Sequence, residues 1–179
     1  MRRIRAEGAR VVHVEESFAM QFVKESRIAA PPERVFAFHE APGALEALTP
    51  PWERVEVVSR GDSIRPGSIV RIRSKLGPIP LDWVAEHTEY DPPHLFADRQ
   101  VSGPFAEWYH RHRMLDDGAG GTILRDEVEY RIPLGALGRL LMGEMIRRKL
   151  TKMFDYRHDR TKALIESVDA GLIGREMRG

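Results

Sequence analysis

His110 and His112 stand two apart in Trp108-Tyr109-His110-Arg111-His112, with carboxylates at Asp98 and Asp126 on either side. On an extended strand alternate side chains share a face, so Trp108, His110, His112 and Met114 point the same way. Two imidazoles aimed together beside carboxylates support three chemistries. A histidine held by a carboxylate has a set tautomer and a pKa near neutrality, which suits proton abstraction next to a carbonyl. The same pair can orient a ligand by hydrogen bonding its carbonyl or hydroxyl. His-x-His is also how some zinc sites take two ligands, with Asp98 or Asp126 as a third. Against all three stands a structural use, a hydrogen-bonded polar network inside an apolar wall, which is the commoner fate of buried polar groups. The expectation is therefore no metal and no cofactor. His110, His112, Asp98 and Asp126 are the candidates should the site be catalytic. No serine or lysine sits in a context that activates a nucleophile, and a chain without cysteine has neither disulfides nor thiolate sites.

Flanking strands must position these groups. Gly103-Pro104 fits a tight turn before the histidine strand. Asp116-Asp117-Gly118-Ala119-Gly120-Gly121 closes it with a loop suited to positive φ. The next strand, 122–132, places Leu124, Asp126, Val128 and Tyr130 on one face. In the expected register His112 pairs with Leu124, His110 with Asp126 and Trp108 with Val128. Asp98 then falls beside His110, and Gln100 beside Trp108. Trp108, His110 and His112 face inward, while Tyr109, Arg111 and Arg113 face solvent. Further strands are expected over 21–29, 54–59, 68–75, 79–90 and 94–102, separated by Pro- and Gly-bearing turns that include Gly77-Pro78. Ala30-Pro31-Pro32-Glu33 starts a short helix, and a second begins at Pro42 and stops at Thr49-Pro50-Pro51. After Pro133 the period changes from two to 3.6, giving an amphipathic helix over roughly 138–168, about 30 residues or 45 Å.

The 179 residues are 42% hydrophobic, enough for one domain with a sizeable core. A net charge of +1 gives no field that recommends nucleic acid. No stretch approaches the roughly 18 apolar residues of a membrane span, and the basic first residues lead into no signal-peptide core. The expected location is the cytoplasm. Residues 1–19 read as a tail, with one short strand around 10–14 and Met20 as an alternative start. Residues 20–168 form the domain, and 169–179 a C-terminal tail. On the long helix Arg147, Arg148, Lys149, Lys152, Arg157, Arg160 and Lys162 read as a solvated face. Arg148 and Lys152 share a side that could attract an anionic membrane or an acidic partner. The helix's apolar side should already be occupied by the sheet, so no stable membrane insertion is expected.

One strand, two short helices, an antiparallel meander and a long helix make a single sheet whose apolar face only the last helix can cover. In this order the sequence resembles the START/Bet v 1-like (SRPBCC) superfamily over about residues 20–168. The likeness is carried by Ala30-Pro31-Pro32-Glu33-Arg34-Val35-Phe36, Phe96-Ala97-Asp98-Arg99-Gln100, Gly103-Pro104-Phe105, Trp108-Tyr109-His110-Arg111-His112 and Asp126-Glu127-Val128-Glu129-Tyr130-Arg131-Ile132-Pro133. The last four resemble a bacterial ligand-binding or cyclase-like subgroup, from which the chain departs at Met114, where an aromatic is more usual. The resemblance implies an α+β helix-grip fold, a curved antiparallel sheet of six or more strands wrapped around a long C-terminal helix. It further implies binding of a small hydrophobic molecule, lipid-, polyketide- or aromatic-like, between sheet and helix. The enzymatic alternative is a cyclase or dehydratase-type lyase using a His/Asp pair in the same cavity. The expected ligand-binding residues are Trp83, Phe96, Gln100, Phe105, Trp108, His110, His112, Tyr130, Met142, Met145, Met153 and Phe154. Phe36 and Trp52 are further aromatic candidates for the wall.

Overall fold

The computed structural model describes residues 20–76 and 79–176; the expected strand at 10–14 and the turn at Gly77-Pro78 lie outside them. In chain order the elements are β1 (Met20–Ile28), α1 (Pro32–Glu40), α2 (Ala44–Ala47), β2 (Glu56–Ser59), β3 (Ile69–Leu76), β4 (Ile79–Asp91), β5 (Leu95–Ser102), β6 (Glu107–Asp116), β7 (Thr122–Arg131) and α3 (Gly135–Glu176). The seven strands form one sheet in the order β1-β7-β6-β5-β4-β3-β2. Every pairing is antiparallel, so six strands follow one another as hairpins and β1 closes against β7. Curled around α3, this is the expected helix-grip fold. None of the described helices is long and apolar enough to cross a membrane.

Alternation decides which face is which. On β6, Trp108, His110 and Met114 are buried. Arg111 pairs outward with Glu89 and Glu129, and Arg113 with Glu127. Cross-strand pairs of opposite charge contribute a few tenths to one kcal/mol each. The β6–β7 register corrects the expected one by two residues: His112 pairs with Asp126, His110 with Val128 and Trp108 with Tyr130. The cause lies in the hairpin. Asp116 stays in the strand opposite Thr122, and the loop is tightened by the Asp117 carboxylate, which accepts from the Ala119 and Gly121 amides. A slip of two preserves the face, so the inward set is unchanged.

The inner face carries two apolar clusters. One gathers Ile28, Val35, Phe36, Phe96, Met114, Leu124 and Ile165. Phe36 comes from α1, whose start at Pro31-Pro32 needs no amide from Pro32 and has Glu33 in its first turn. The other gathers Trp108, Val128, Tyr130, Ile132, Leu150 and Phe154. A cluster of polar side chains lies between them, with His112 stacked on Phe96 of the first and His110 against Phe154 of the second.

Helix α3 spans 42 residues, about 63 Å, and so exceeds the expected 138–168 at both ends. It begins early because Leu134 (φ 69°) and Gly135 (φ 55°) turn the chain sharply after Pro133. It runs on because no proline follows Pro133, so residues 169–176 continue the helix. At Gly138 a Cβ would collide with the Pro133 carbonyl oxygen. Gly138→Ala should therefore lower stability by about 1–3 kcal/mol, the usual range for overpacking. The urea midpoint reports it, and an unchanged midpoint would mean that the helix start is loosely packed.

Candidate functional site

Asp126, on β7, is 4% exposed. It lies directly opposite His112 and diagonal to His110, and its neighbours include a third histidine from α3. His110 Nε2 donates to Oδ1 at 2.8 Å, and His158 Nε2 donates to Oδ2 at 2.7 Å. His112 Nδ1 is 2.7 Å from Oδ1, an ion-pair contact too poorly angled for a hydrogen bond. One carboxylate thus fastens two sheet histidines and the grip helix. Asp98, across β5–β6 from His110, lies 3.6 Å from His110 Nδ1 and 3.7 Å from His112 Nε2. The Phe96 ring stacks on His112 at 4.0 Å, with 13° between planes. His39 of α1, whose Nδ1 donates to the Val35 carbonyl, has its ring 6.0 Å from that of His112. His87 of β4 pairs in register with Asp98, and its buried Nδ1 has no partner among the described residues.

The electrostatics divide these imidazoles. For His112 burial alone would lower the pKa, but the Asp126 and Asp98 carboxylates outweigh it and raise the value to about 9. Burial lowers His110, assisted by the neighbouring His112 charge and only partly offset by Asp126. Burial, then the charge of His112, brings His39 down to about 4, and burial likewise lowers His87. Asp126 should rise on burial, yet the His112 charge and its imidazole contacts hold it well below the usual carboxylate range. Asp98 is lowered too, its burial outweighed by His112 and His110. At neutral pH His112 is thus an imidazolium beside the neutral imidazoles of His110 and His39.

Arg157 corrects the expectation of a solvated basic face. Its Nε is buried without a hydrogen-bond partner among the described residues. Burial lowers its pKa, and the attraction of Asp126, Asp98 and Glu53 works against that. Asp98, His110 and His112 offer ligand atoms within 4.8 Å of one another, a spacing in reach of a metal ion. The two carboxylates, however, already face two cations, the His112 imidazolium and the Arg157 guanidinium.

The ligand-binding candidates fall into three groups. Trp108, Trp83 and Phe105 pack together, with ring centroids 5.0 and 4.9 Å from Trp108, and Tyr130 lies against Phe105 at 5.6 Å. Phe154 closes this wall from α3 and reaches the polar cluster, its ring 5.2 Å from His110. Met142 and Met153 sit half-buried at its margin. Gln100 serves as a brace: its amide donates to the Phe105 carbonyl at 2.7 Å and its carbonyl accepts from the Phe105 amide. Met145 lies apart, 50% exposed, in an open depression of about 490 Å³ on the outer side of α3 with Glu144, Arg148, Lys149 and Lys152. Trp52 is also outside, packed on Tyr156. Sequence reasoning missed His158, His39 and His87. Helical spacing held the signal for the first: Phe154, His158, Thr161 and Ile165 are all buried and recur at the four- and three-residue steps of a buried face.

The sequence family described as polyketide cyclase/dehydrase and lipid transport matches residues 19–166. No curated protein matches the chain in sequence. Among solved structures, a protein from Thermus thermophilus is 22% identical, with TM-score 0.59 over 81% of this chain and 99% of its own. A norcoclaurine synthase mutant from Thalictrum flavum, solved with a transition-state analogue, is 15% identical at TM-score 0.66, covering 84% of this chain and 96% of its own. An aromatase/cyclase from Streptomyces is 17% identical at TM-score 0.62, covering 83% and 94%. At these identities the structures establish the fold, and the sequence match establishes the family. The chain belongs to the polyketide cyclase/dehydrase and lipid transport family, within the START/Bet v 1-like superfamily.

Proposed function

We propose that the protein binds a small hydrophobic molecule, lipid-, polyketide- or aromatic-like, between the inner sheet face and α3. The observation that carries this reading is the continuity of the aromatic wall with the polar cluster, since the Trp108 ring lies 6.2 Å from that of His110. A ligand laid along Trp83, Phe105 and Trp108 would bring one end to the histidines. Apolar contact would supply affinity, at about 25 cal/mol per Å² buried, and the flexible side chains of Met142 and Met153 would adapt to its shape. His112, as an imidazolium, would donate to a carbonyl or hydroxyl on the ligand.

A second reading is favoured by the divergence of His112 from His110 and His39. Neighbouring titratable groups with pKa values pushed apart are an acid and base already assigned. A donor at His112 beside a neutral imidazole at His110 matches an aldol-type cyclisation or dehydration, with Asp126 and Asp98 setting their orientation.

Native mass spectrometry of protein purified from its own host, followed by extraction and identification of the bound molecule, tests the first reading. Recovery of no small molecule, with no binding of a hydrophobic fluorophore such as anilinonaphthalene sulfonate, would overturn it. With the extracted compound in hand, His112→Gln separates the two readings. Binding alone predicts loss of one hydrogen bond to a charged donor, about 1.5–3 kcal/mol of affinity. Catalysis predicts turnover reduced about 100-fold or more with affinity little changed.

A further inference from the structure

The first turns of α3 contradict the expectation that the sheet occupies the helix's whole apolar side. Met142 and Ile146 pack toward the Trp108 cluster, but Leu137, Leu140 and Leu141 point away from it, 57%, 82% and 70% exposed. Leu134, in the turn that enters the helix, is exposed as well. Successive residues advance about 100° around a helix, which places Leu137, Leu141, Met145, Arg148 and Lys152 along one outward stripe. The stripe is apolar at its N-terminal end and basic from Arg148 onward. Between Arg139 and Lys152 the sequence has five basic residues and one acidic, Glu144. Glu144 bonds to Arg147 and Arg148, so the stretch keeps a net positive charge.

We propose that this end of α3 docks the protein on an anionic lipid bilayer, with the leucines entering the interface and Arg148, Lys149 and Lys152 meeting the headgroups. Several exposed leucines in two turns are far from the scattered single hydrophobics of an ordinary surface. The basic residues beside them select an anionic bilayer over a neutral one, because each cation near such a surface adds to binding. Contact is peripheral and reversible: the apolar stretch is about two turns long, far short of a span. The docking face is also one helix diameter from the aromatic wall, since Met142 and Ile146 occupy the opposite side of the same turns. The proposal stands on the outer face alone and does not depend on the ligand proposed for the interior.

Co-sedimentation of the full chain with vesicles tests it. Binding is expected to phosphatidylcholine vesicles carrying about a third phosphatidylglycerol, and to weaken as salt shortens the Debye length. Pure phosphatidylcholine should bind at least tenfold less. Leu140→Glu with Leu141→Glu should abolish binding, and Arg148→Ala with Lys149→Ala should weaken it about tenfold or more, all at exposed positions where the fold is indifferent. As a second readout, Leu141→Trp should shift its emission to the blue on the anionic vesicles. Three results would overturn the proposal: no binding to anionic vesicles, equal binding by the leucine and basic variants, or a dimer in solution that Leu140→Glu converts to monomer without any vesicle binding by the parent chain. The last would assign the face to a second copy of the chain.

Discussion

Replacing Asp126 by alanine is expected to lower stability by about 3–5 kcal/mol, the range for removing one partner of a buried ionic set. The buried carboxylate accepts from His110 and His158 and lies 2.7 Å from His112. Its removal therefore leaves His110 and His158 without their shared acceptor and His112 without its nearest counter-charge, and it loosens α3 from the sheet. For a chain of this size the melting temperature should fall by roughly 6–20 °C, at about 2–4 °C per kcal/mol. Asp126→Asn keeps the shape and loses the charge, so it should be destabilising too, and His112 should no longer hold its proton above neutrality. A loss below about 1 kcal/mol for alanine would show that the histidines are held by the surrounding packing instead.

Stability should peak near pH 6.5 and decline on both sides, for different reasons. His112, raised to about 9 by its carboxylates against the opposing effect of burial, keeps a proton that the unfolded chain releases near 6.5. Above pH 6.5 the folded state therefore binds more protons than the unfolded one, and stability falls until the pH passes about 9. The contribution at stake is on the order of 3 kcal/mol, at about 1.36 kcal/mol for each pH unit separating the folded and unfolded values. On the acid side the sign reverses. His39, lowered to about 4, and His110 and His87, also lowered, stay neutral in the fold while the unfolded chain takes up protons. Stability then drops as the pH falls from 6.5, and protonation of Asp126 and Asp98 deepens the loss at lower pH. Denaturant midpoints from about pH 4 to 10, with an imidazole NMR titration of His112, check both limbs. A His112 pKa near 6.5 would remove the alkaline limb.

Period two in the strands and 3.6 after Pro133 make the order and type of the elements legible, along with the inward set Trp108, His110 and Met114. Alternation fixes a face but not a register, because a slip of two residues returns each side chain to the same side. That is why the sequence pairs His110 with Asp126 when the loop, drawn tight by Asp117, puts His112 opposite it. The contact between His110 and Asp126 survives as a diagonal one. Asp98, Asp126, His110 and His112 are legible as a group because neighbouring strands keep them within two ladder positions of each other. His39 and His87 arrive from α1 and β4, where a single histidine gives no sign of facing inward, whereas His158 shares the helical spacing of Phe154, Thr161 and Ile165 and is legible only once that face of α3 is known to be covered. Arg157 is placed only in part: its stem recurs with the apolar residues of α3, but its head reads as solvated, as a basic residue in a basic helix does until the helix has a partner. The outward leucines escape for the converse reason: apolar residues all around two turns of α3 do not say which of them the sheet will cover.

Among the described residues the open sheet has two edges, β1 and β2, and a row of unpaired backbone amides and carbonyls on an edge is a template for another chain's strand. Both edges are defended here, in different ways. β2 is four residues long, with its register broken between Val57 and Ser59, too short and irregular to seed a ladder. β1 is nine residues long but carries Lys24, Glu25 and Arg27, and Lys24 reaches across to Asp155 on α3. A second molecule would have to tolerate those charges before it could extend the sheet. Lys24→Val with Arg27→Val, which would leave a far more apolar edge, is the change that should open β1 to a second chain's strand.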